Sequence, residues 1–297
     1  MESEFKSYDK NNIFYKKWES SETKAIIQIF HGLGEMADYY EEFAREANKN
    51  NLTVYLFEYR GHGRTKAPFG EGNIFDQYVR DSLIFNTLIK KEYPDKKIFA
   101  IGHSLGTGII QGALNLFPEF WAGVILTGLP DQRYDEKLIQ GILEEIGKNG
   151  PDAPNVGAAT ELFGNLNDSF ASEGSTLSWL TRDAERRDYY ERLPYTNVSY
   201  SNRFYLDQAE YSTKMNQHGL SELENKDFPI LILTGGNDII ADHGKYGDTK
   251  VKELIQKGFE DATSIVYPEF RHSILQEVGR DIVYNDIFDW IAKHNQY

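Results

Sequence analysis

The segment KIFAIGHSLGTGIIQGALNL, residues 97–116, decides the fold of this 297-residue chain. Its first part, Lys97–Ile101, is a short apolar run typical of a buried strand, and Leu105–Leu116 has the pattern of a helix. Between them lies Gly102-His103-Ser104-Leu105-Gly106, a G-x-S-x-G pentapeptide. A serine on such a strand-to-helix turn has a strained backbone and an exposed hydroxyl, and the flanking glycines let strand and helix approach. The segment predicts that Ser104 is a nucleophile.

On both sides of this segment, short apolar runs alternate with helical patterns. The predicted strands are Glu4–Ser7, Ile13–Trp18, Ala25–Phe30, Thr53–Tyr59, Lys97–Ile101, Ala122–Thr127, Pro229–Thr234 and Thr263–Tyr267. The predicted helices are Met36–Lys49, Ile74–Glu92, Leu105–Leu116, Tyr246–Lys257 and Ser273–His294. This alternation predicts an α/β fold with a mostly parallel, eight-stranded sheet and helices on both faces.

The alternation is interrupted after Thr127, where a long polar stretch is rich in Gly, Asn, Asp and Tyr. We interpret residues 129–223 as an inserted cap domain and residues 1–128 and 224–297 as the two parts of one core. Within the cap, the charged run Arg182–Asp188 either contacts substrate or forms a solvated helix with internal ion pairs. The aromatic residues of the cap either line an acyl tunnel or form its small core; they are Trp179, Tyr189, Tyr190, Tyr195, Tyr200, Phe204, Tyr205 and Tyr211.

A serine nucleophile needs a histidine base and a carboxylate that orients this base. In folds that carry the pentapeptide, the acid and then the histidine follow on loops after later strands. Asp238 follows the strand Pro229–Thr234 and is the predicted acid, with Asp242 and Asp248 as rivals. His272 follows the last strand and is the predicted base. Six other histidines fit this position less well: His31, His62, His103, His218, His243 and His294.

The loop after the strand Ala25–Phe30 reads His31-Gly32-Leu33-Gly34-Glu35. In this architecture one backbone N–H from that loop and one from the residue after the nucleophile stabilise the developing oxyanion. We expect the Leu33 and Leu105 amides to form this oxyanion hole. His31 is interpreted as a packed, hydrogen-bonded residue beneath the loop, and Glu35 as a brace for it.

Five segments together resemble the monoglyceride lipase and lysophospholipase-like branch of the α/β-hydrolases, whose wider family is named serine aminopeptidase S33. They are HGLGE (31–35), YRGHGRT (59–65), GHSLG (102–106), LTGGND (233–238) and EFRHSILQE (269–277). The opening FKSYDKNNIFYKKWE (5–19) and the cap segment SWLTRDAERRDYY (178–190) are also similar to this branch. The chain departs from the usual pattern at Thr107, where most members have glycine; we interpret this position as facing helix packing.

The resemblance implies hydrolysis of carboxylic esters such as monoacylglycerols, lysophospholipids or small esters, with Ser104, Asp238 and His272 as the triad and no metal or organic cofactor. One alternative is an aminopeptidase or amidase, which requires a cap carboxylate for the free amine; Glu173, Asp183 and Glu185 are candidates. A second alternative is a non-catalytic binding protein of the same fold. The Arg60–Gly63 segment matches a part of the family that is mainly structural.

The composition limits the partners and the compartment. The formal net charge of −14 argues against nucleic-acid binding and against docking on anionic membranes. The chain has no cysteine, and no stretch approaches the roughly 20 apolar residues of a membrane span. We therefore expect a cytoplasmic protein without stable membrane insertion that acts on a small-molecule monoacyl ester. The oligomeric state is left open.

Overall fold

The computed structural model describes residues 1–131, 134–194 and 199–296, and these contain one eight-stranded sheet in the order β1-β2-β4-β3-β5-β6-β7-β8. The pairs β1–β2 and β2–β4 are antiparallel, and every other pair is parallel. The strands are β1 (Glu2–Lys6), β2 (Asn12–Trp18), β3 (Ala25–Phe30), β4 (Leu52–Phe57), β5 (Ile98–His103), β6 (Gly123–Thr127), β7 (Ile230–Gly235) and β8 (Ala262–Tyr267). The predicted α/β fold is confirmed.

Helices cover both faces of the sheet, which is why the inner strands β3 to β7 are buried along their whole length. The α-helices in the described residues are α1 (Glu41–Lys49), α2 (Ile74–Glu92), α3 (Leu105–Leu116), α4 (Glu136–Asn149), α5 (Val156–Phe163), α6 (Ala184–Arg192), α7 (Asn202–His218), α8 (Lys245–Gln256) and α9 (Asp281–His294). One apolar cluster packs α2, α3 and α7 on one face, and another packs α1 and α9 on the opposite face. No helix of the described residues is long and apolar enough to cross a bilayer.

Two predicted helices were too long. The segment Met36–Lys49 contains a 3₁₀ turn, Ala37–Tyr40, before α1, because Met36 is extended and the Glu58 carboxylate accepts the Ala37 amide at 3.0 Å. The final helix begins at Asp281 instead of Ser273. The residues before it are held elsewhere, since the Ser273 amide donates to the Leu180 carbonyl at 2.8 Å.

Helices α4 to α7 all lie in the connection between β6 and β7, residues 128–229, which we call the insertion. Helix α7 packs on α2, α3 and α4. Asp207 of α7 accepts the Ile74 amide at the start of α2 at 2.8 Å. The insertion is thus anchored on α2 and on α3, and α3 begins directly after Ser104.

Candidate functional site

Ser104 lies on the sharp turn between β5 and α3, with φ 49° and ψ −116°. Positive φ is strained for a residue with a side chain, and the structure holds it because the Ser104 amide donates to the Thr127 carbonyl of β6 at 3.0 Å. Gly106 is required by close packing, since a Cβ there would collide with the Phe30 carbonyl oxygen. Ser104 is half-buried although every residue of β5 is buried, so its side chain is open to the space above the sheet.

Asp238 and His272 come from the loops after β7 and β8 and meet above the ends of these strands. His272 Nδ1 donates to Asp238 Oδ2 at 2.8 Å, with the Asp238 side chain fully buried and that of His272 2% exposed. The other carboxylate oxygen of Asp238 accepts the Ile240 amide at 3.0 Å. Two hydrogen bonds therefore fix the Asp238 carboxylate, and this carboxylate fixes the orientation of the His272 ring.

The rival acids lie elsewhere. Asp242 is exposed and adopts φ 49°, and Asp248 accepts the Ser264 hydroxyl at 2.6 Å. Within the described residues, neither is recorded in a hydrogen bond to His272. The structure thus brings together His272 and Asp238, as predicted from the chain order.

Two buried residues lie close to His272: His103, and Glu35 beside it. The His103 ring centroid is 4.9 Å from that of His272, and His103 Nδ1 lies 3.0 Å from the Thr127 hydroxyl. Burial lowers the pKa of His103 well below its usual range, and burial raises the pKa of the neighbouring Glu35 carboxyl. Both shifts favour the neutral forms, so burial opposes further charge beside the His272–Asp238 pair.

The loop after β3 is organised as expected. Glu35 Oε2 accepts the Gly32 amide at 2.7 Å and the Tyr40 hydroxyl at 2.5 Å, which braces the loop. His31 is fully buried; its Nδ1 lies 2.8 Å from the Gly32 carbonyl oxygen and its Nε2 accepts the Tyr59 amide at 3.2 Å. Leu33 and Leu105 both line the cavity described next. No acceptor is recorded for either amide in the described part of the chain, so both remain available to a bound group.

A cavity of about 370 Å³ lies over Ser104, between the core and the insertion. Ser104, His272, Leu33 and Leu105 lie on its core side, and Trp179 lies on its insertion side. The Trp179 ring centroid is 5.1 Å from that of His272. The lining is more apolar than polar. Within residues 1–131, 134–194 and 199–296, no group of histidine, aspartate and glutamate side chains could hold a metal ion.

The aromatic residues of the insertion divide between the two predicted roles. Trp179, Tyr200, Tyr205 and Tyr211 line the cavity. Tyr190 does not line it and is stacked on Tyr39, which does, with ring centroids 3.8 Å apart. Phe204 is buried against Phe75, and Tyr189 is 36% exposed beside Tyr190. Tyr195 lies outside the described residues.

Most ion pairs of the charged run Arg182–Asp188 are made with the core, and not within one helix as the solvated-helix alternative expected. Arg182 Nε donates to Glu277 at 3.0 Å, Arg186 pairs with Glu42, and Asp183 accepts Arg280 at 2.9 Å. Of these partners, Glu42 lies in α1, and Glu277 and Arg280 lie just before α9. The pairing depends on tertiary contacts that helical spacing does not reveal.

None of the carboxylates considered for binding a substrate amine lines the cavity. Glu173 is held by Arg271 and Arg187, and Asp183 by Arg280. Glu185 is exposed. Glu191 does line the cavity, where it accepts the Ser175 hydroxyl at 3.1 Å.

The sequence analysis left several cavity residues unmarked, among them Thr107 and Gln208. Thr107 is buried, as helix packing predicts, and it also lines the cavity, where its hydroxyl donates to the Ser104 carbonyl at 2.6 Å. Its position three residues after Ser104, on the same face of α3, could have indicated this. Gln208 of α7 also lines the cavity, and no sequence motif marked it.

The fold, and the carboxyl-end position of these residues, are those of an α/β-hydrolase. The carboxyl esterase from Bacillus coagulans, solved in complex with glycerol, aligns over 100% of this chain and 99% of its own with a TM-score of 0.89 at 21% identity. A monoglyceride lipase variant from Saccharomyces cerevisiae aligns over 99% of this chain and 96% of its own with a TM-score of 0.72 at 20% identity. At these sequence identities the structural similarity shows the fold alone.

Residues 21–279 match the family model described as serine aminopeptidase, S33, and the chain belongs to this family. The monoacylglycerol lipase of Mycolicibacterium smegmatis is 21% identical over 95% of this chain and 93% of its own. The monoglyceride lipase of Homo sapiens is 33% identical over 119 residues, 40% of this chain. The match spans about two-fifths of the length of the Rattus norvegicus, Mus musculus and Homo sapiens enzymes.

Proposed function

We propose that this protein hydrolyses carboxylic esters, with Ser104 as nucleophile, His272 as general base and acid, and Asp238 as the orienting carboxylate. The observation that carries the proposal is the 2.8 Å bond between His272 and the fully buried Asp238, at the wall of the cavity that Ser104 lines in a strained conformation. Backbone strain of this kind is concentrated at functional sites. A protein that only binds a ligand requires no such arrangement.

In the proposed mechanism, His272 Nε2 accepts the Ser104 proton as the hydroxyl oxygen attacks the ester carbonyl. The Leu33 and Leu105 amides donate to the oxyanion that forms. His272 then protonates the leaving alcohol as the C–O bond breaks, which leaves an acyl group on Ser104. A water molecule deprotonated by His272 attacks this acyl-enzyme, and His272 returns that proton to the Ser104 oxygen as the acyl C–O bond breaks and the acid is released. No step requires a metal or an organic cofactor.

We propose monoacyl esters as substrates and residues 129–223 as the cap over them. The cavity of about 370 Å³ is at the small end of the range for ligand sites, and its mostly apolar lining suits one acyl chain. The relatives named as monoacylglycerol and monoglyceride lipases support the same substrate class. Monoacylglycerols, lysophospholipids and small esters all belong to it.

The aminopeptidase alternative has less support than ester hydrolysis. An exopeptidase needs a carboxylate that faces the free amine of its substrate. The candidates Glu173 and Asp183 are already in ion pairs, and neither lines the cavity. Glu191 does line the cavity, and there its carboxylate accepts the Ser175 hydroxyl. Because the family is named after a serine aminopeptidase, amide substrates must be tested beside esters.

A panel of p-nitrophenyl esters and aminoacyl-nitroanilides tests the proposal. We expect the wild type to hydrolyse the esters faster than every anilide and Ser104→Ala to be inactive but folded. Ser212→Ala is the matched control, because Ser212 is another serine of the cavity lining, and it should retain activity. A fluorophosphonate should label Ser104 only. A tenth of wild-type activity in Ser104→Ala would overturn the nucleophile assignment, and a preferred anilide would favour the peptidase alternative.

A further inference from the structure

Tyr200 of the insertion forms a hydrogen bond with the core beside the cavity. Its hydroxyl oxygen lies 3.1 Å from His62 Nε2, and the residue is part of the cavity lining over Ser104. The Tyr200 carbonyl accepts the Asn155 amide at 3.0 Å, and the ring stacks on Phe204 with centroids 4.4 Å apart. Contacts within the insertion therefore fix the position of this hydroxyl.

The direction of this hydrogen bond follows from the surroundings of His62. His62 is 1% exposed, and burial lowers its pKa to about 4, so at neutral pH its ring is neutral and has one donor and one acceptor nitrogen. Its Nδ1 lies 3.2 Å from the Arg60 carbonyl oxygen, which can only accept, so Nδ1 carries the proton. Nε2 is then the acceptor, and the Tyr200 hydroxyl donates to it. The Tyr200 oxygen keeps its lone pairs for another donor.

The same oxygen contacts the loop after β3, at Gly34. A Cβ on Gly34 would lie 3.7 Å from the Tyr200 oxygen. Burial raises the pKa of Tyr200, and the Gly34 backbone amide opposes this rise because it donates to the Tyr200 oxygen. A chain of hydrogen bonds thus runs from Gly34 through Tyr200 to His62. It ends at Arg60, which is fully buried and paired with Asp81 at 2.8 Å.

Gly34 directly follows Leu33, whose amide is one of the two proposed oxyanion donors. The amide of the residue before Leu33 donates to the Glu35 carboxylate at 2.7 Å, so the core holds that side of the loop. We propose that Tyr200 is a positioning residue of the oxyanion hole, and that its hydrogen bond to His62 lets it hold the Gly34 side of the loop. This inference rests on the proposed ester hydrolysis and gives the insertion a part in it.

Tyr200→Phe removes the hydroxyl and keeps the ring that stacks on Phe204. A misplaced oxyanion donor weakens binding of the transition state and leaves binding of the ester unchanged. With p-nitrophenyl esters we therefore expect kcat to fall about 10- to 100-fold, less than on removal of a donor, while KM stays within about 2-fold. Tyr55→Phe is the matched control, because it removes the hydrogen bond to Glu92 at 2.6 Å and Tyr55 does not line the cavity. It should lower the thermal unfolding midpoint and leave kcat unchanged.

Two ketones separate positioning from a merely structural role. With an alkyl trifluoromethyl ketone, the Ser104 oxygen bonds to the ketone carbon, its proton passes to His272, and the ketone oxygen becomes an oxyanion that the loop amides bind. A methyl ketone of the same chain length is much less electrophilic and binds as the free ketone. Tyr200→Phe should raise the inhibition constant of the trifluoromethyl ketone by about the factor by which kcat falls, and that of the methyl ketone less than about 2-fold. Equal changes for both ketones, with a lower unfolding midpoint, would show a merely structural role and overturn the inference.

Amide hydrogen exchange requires no turnover and separates this inference from the proposed function. The amides of residues 32–36 should exchange about 3- to 10-fold faster in Tyr200→Phe than in the wild type, the size of one neutral hydrogen bond, and at the wild-type rate in Tyr55→Phe. If the wild type hydrolyses no ester, the proposed function fails and the exchange rates still decide whether Tyr200 holds the loop. Unchanged exchange in Tyr200→Phe, or faster exchange with an unchanged kcat in an active enzyme, would overturn the inference.

Discussion

At the scale of single residues, Gly235 and Gly236 explain how Asp238 and His272 meet. A Cβ at Gly235 would collide with the carbonyl oxygens of Phe270 and Arg271. The Gly236 amide donates to the Tyr267 carbonyl at 2.7 Å. Because neither glycine has a side chain, the loops after β7 and β8 pack directly on each other.

Asp238→Asn should therefore reduce ester hydrolysis far more than Asp242→Asn. The first change removes the carboxylate that orients His272 and stabilises its imidazolium, with an expected loss on the order of 10⁴-fold in kcat. Asp242 is exposed and serves as the matched control. Initial rates with one p-nitrophenyl ester measure both. A larger loss in Asp242→Asn would transfer the role of the acid to that residue.

At the scale of elements, one segment of the insertion is tied to the loop that carries His272. The His272 and Ser273 amides donate to the Trp179 and Leu180 carbonyls at 3.4 and 2.8 Å. Arg271 donates to the Ser178 carbonyl at 2.6 Å and pairs with Glu173. The loop that carries His272 is thus joined to the insertion by three hydrogen bonds and one ion pair.

Glu173→Gln should weaken the contact between the insertion and the loop that carries His272. Arg271 and Arg187 are both largely buried and would lose their carboxylate partner, which costs on the order of 1–3 kcal/mol of unfolding free energy. We expect a lower unfolding midpoint and a kcat that falls more than KM changes, because His272 is less well placed. Exposed Glu185 of the same segment provides the control, Glu185→Gln. Equal unfolding midpoints and equal kcat values in the two variants would show that the Glu173 ion pairs do not help to place His272.

At the scale of the whole molecule, residues of the insertion line the cavity over Ser104, and the proposed cap would limit which substrates reach this serine. A cavity of about 370 Å³ leaves little room for three acyl chains. The net charge of −14 also opposes adsorption to an anionic lipid surface. We expect monobutyrin, monolaurin and lysophosphatidylcholine to be hydrolysed faster than emulsified triolein at equal ester concentration. Triolein hydrolysis at the same rate, with activation at the oil–water interface, would show that the cap does not exclude it.

Buried histidines should make the molecule sensitive to mild acid. Burial lowers the pKa of His31 and His103, and that of His62 to about 4, whereas each has an ordinary value near 6.5 when unfolded. The unfolded chain therefore binds more protons as the pH falls. The stability contributed by the neutral rings is complete above about pH 6.5 and is lost as the pH falls toward 4.

His62→Gln should reduce this loss. Between pH 7.5 and pH 5, the titration of His62 accounts for about 2 kcal/mol of unfolding free energy at about 1.4 kcal/mol per pKa unit. Urea unfolding at the two pH values measures the difference, and His218→Gln is the control because His218 is exposed. An unchanged pH dependence in His62→Gln would show that His62 does not contribute.

The sequence by itself determined the succession of strands and core helices along the chain, the α/β fold and the position of Ser104 between β5 and α3. These features depend on local patterns: an apolar run, helical periodicity and glycines at fixed spacing from the serine. The candidates Asp238 and His272 followed from chain order after the strands. Their catalytic roles stay predictions, although the structure places both in one hydrogen bond.

Only the tertiary structure decided which side chains of the insertion face the cavity. Helical periodicity predicts which residues of α7 share a face. Only the packing of α7 on α2 and α3 shows that the face with Gln208 lines the cavity. Partners for the run Arg182–Asp188, and the segment that holds Ser273 outside the last helix, are contacts between residues far apart in the chain. Such contacts arise because the insertion folds back over the sheet, and no local pattern of residues encodes them.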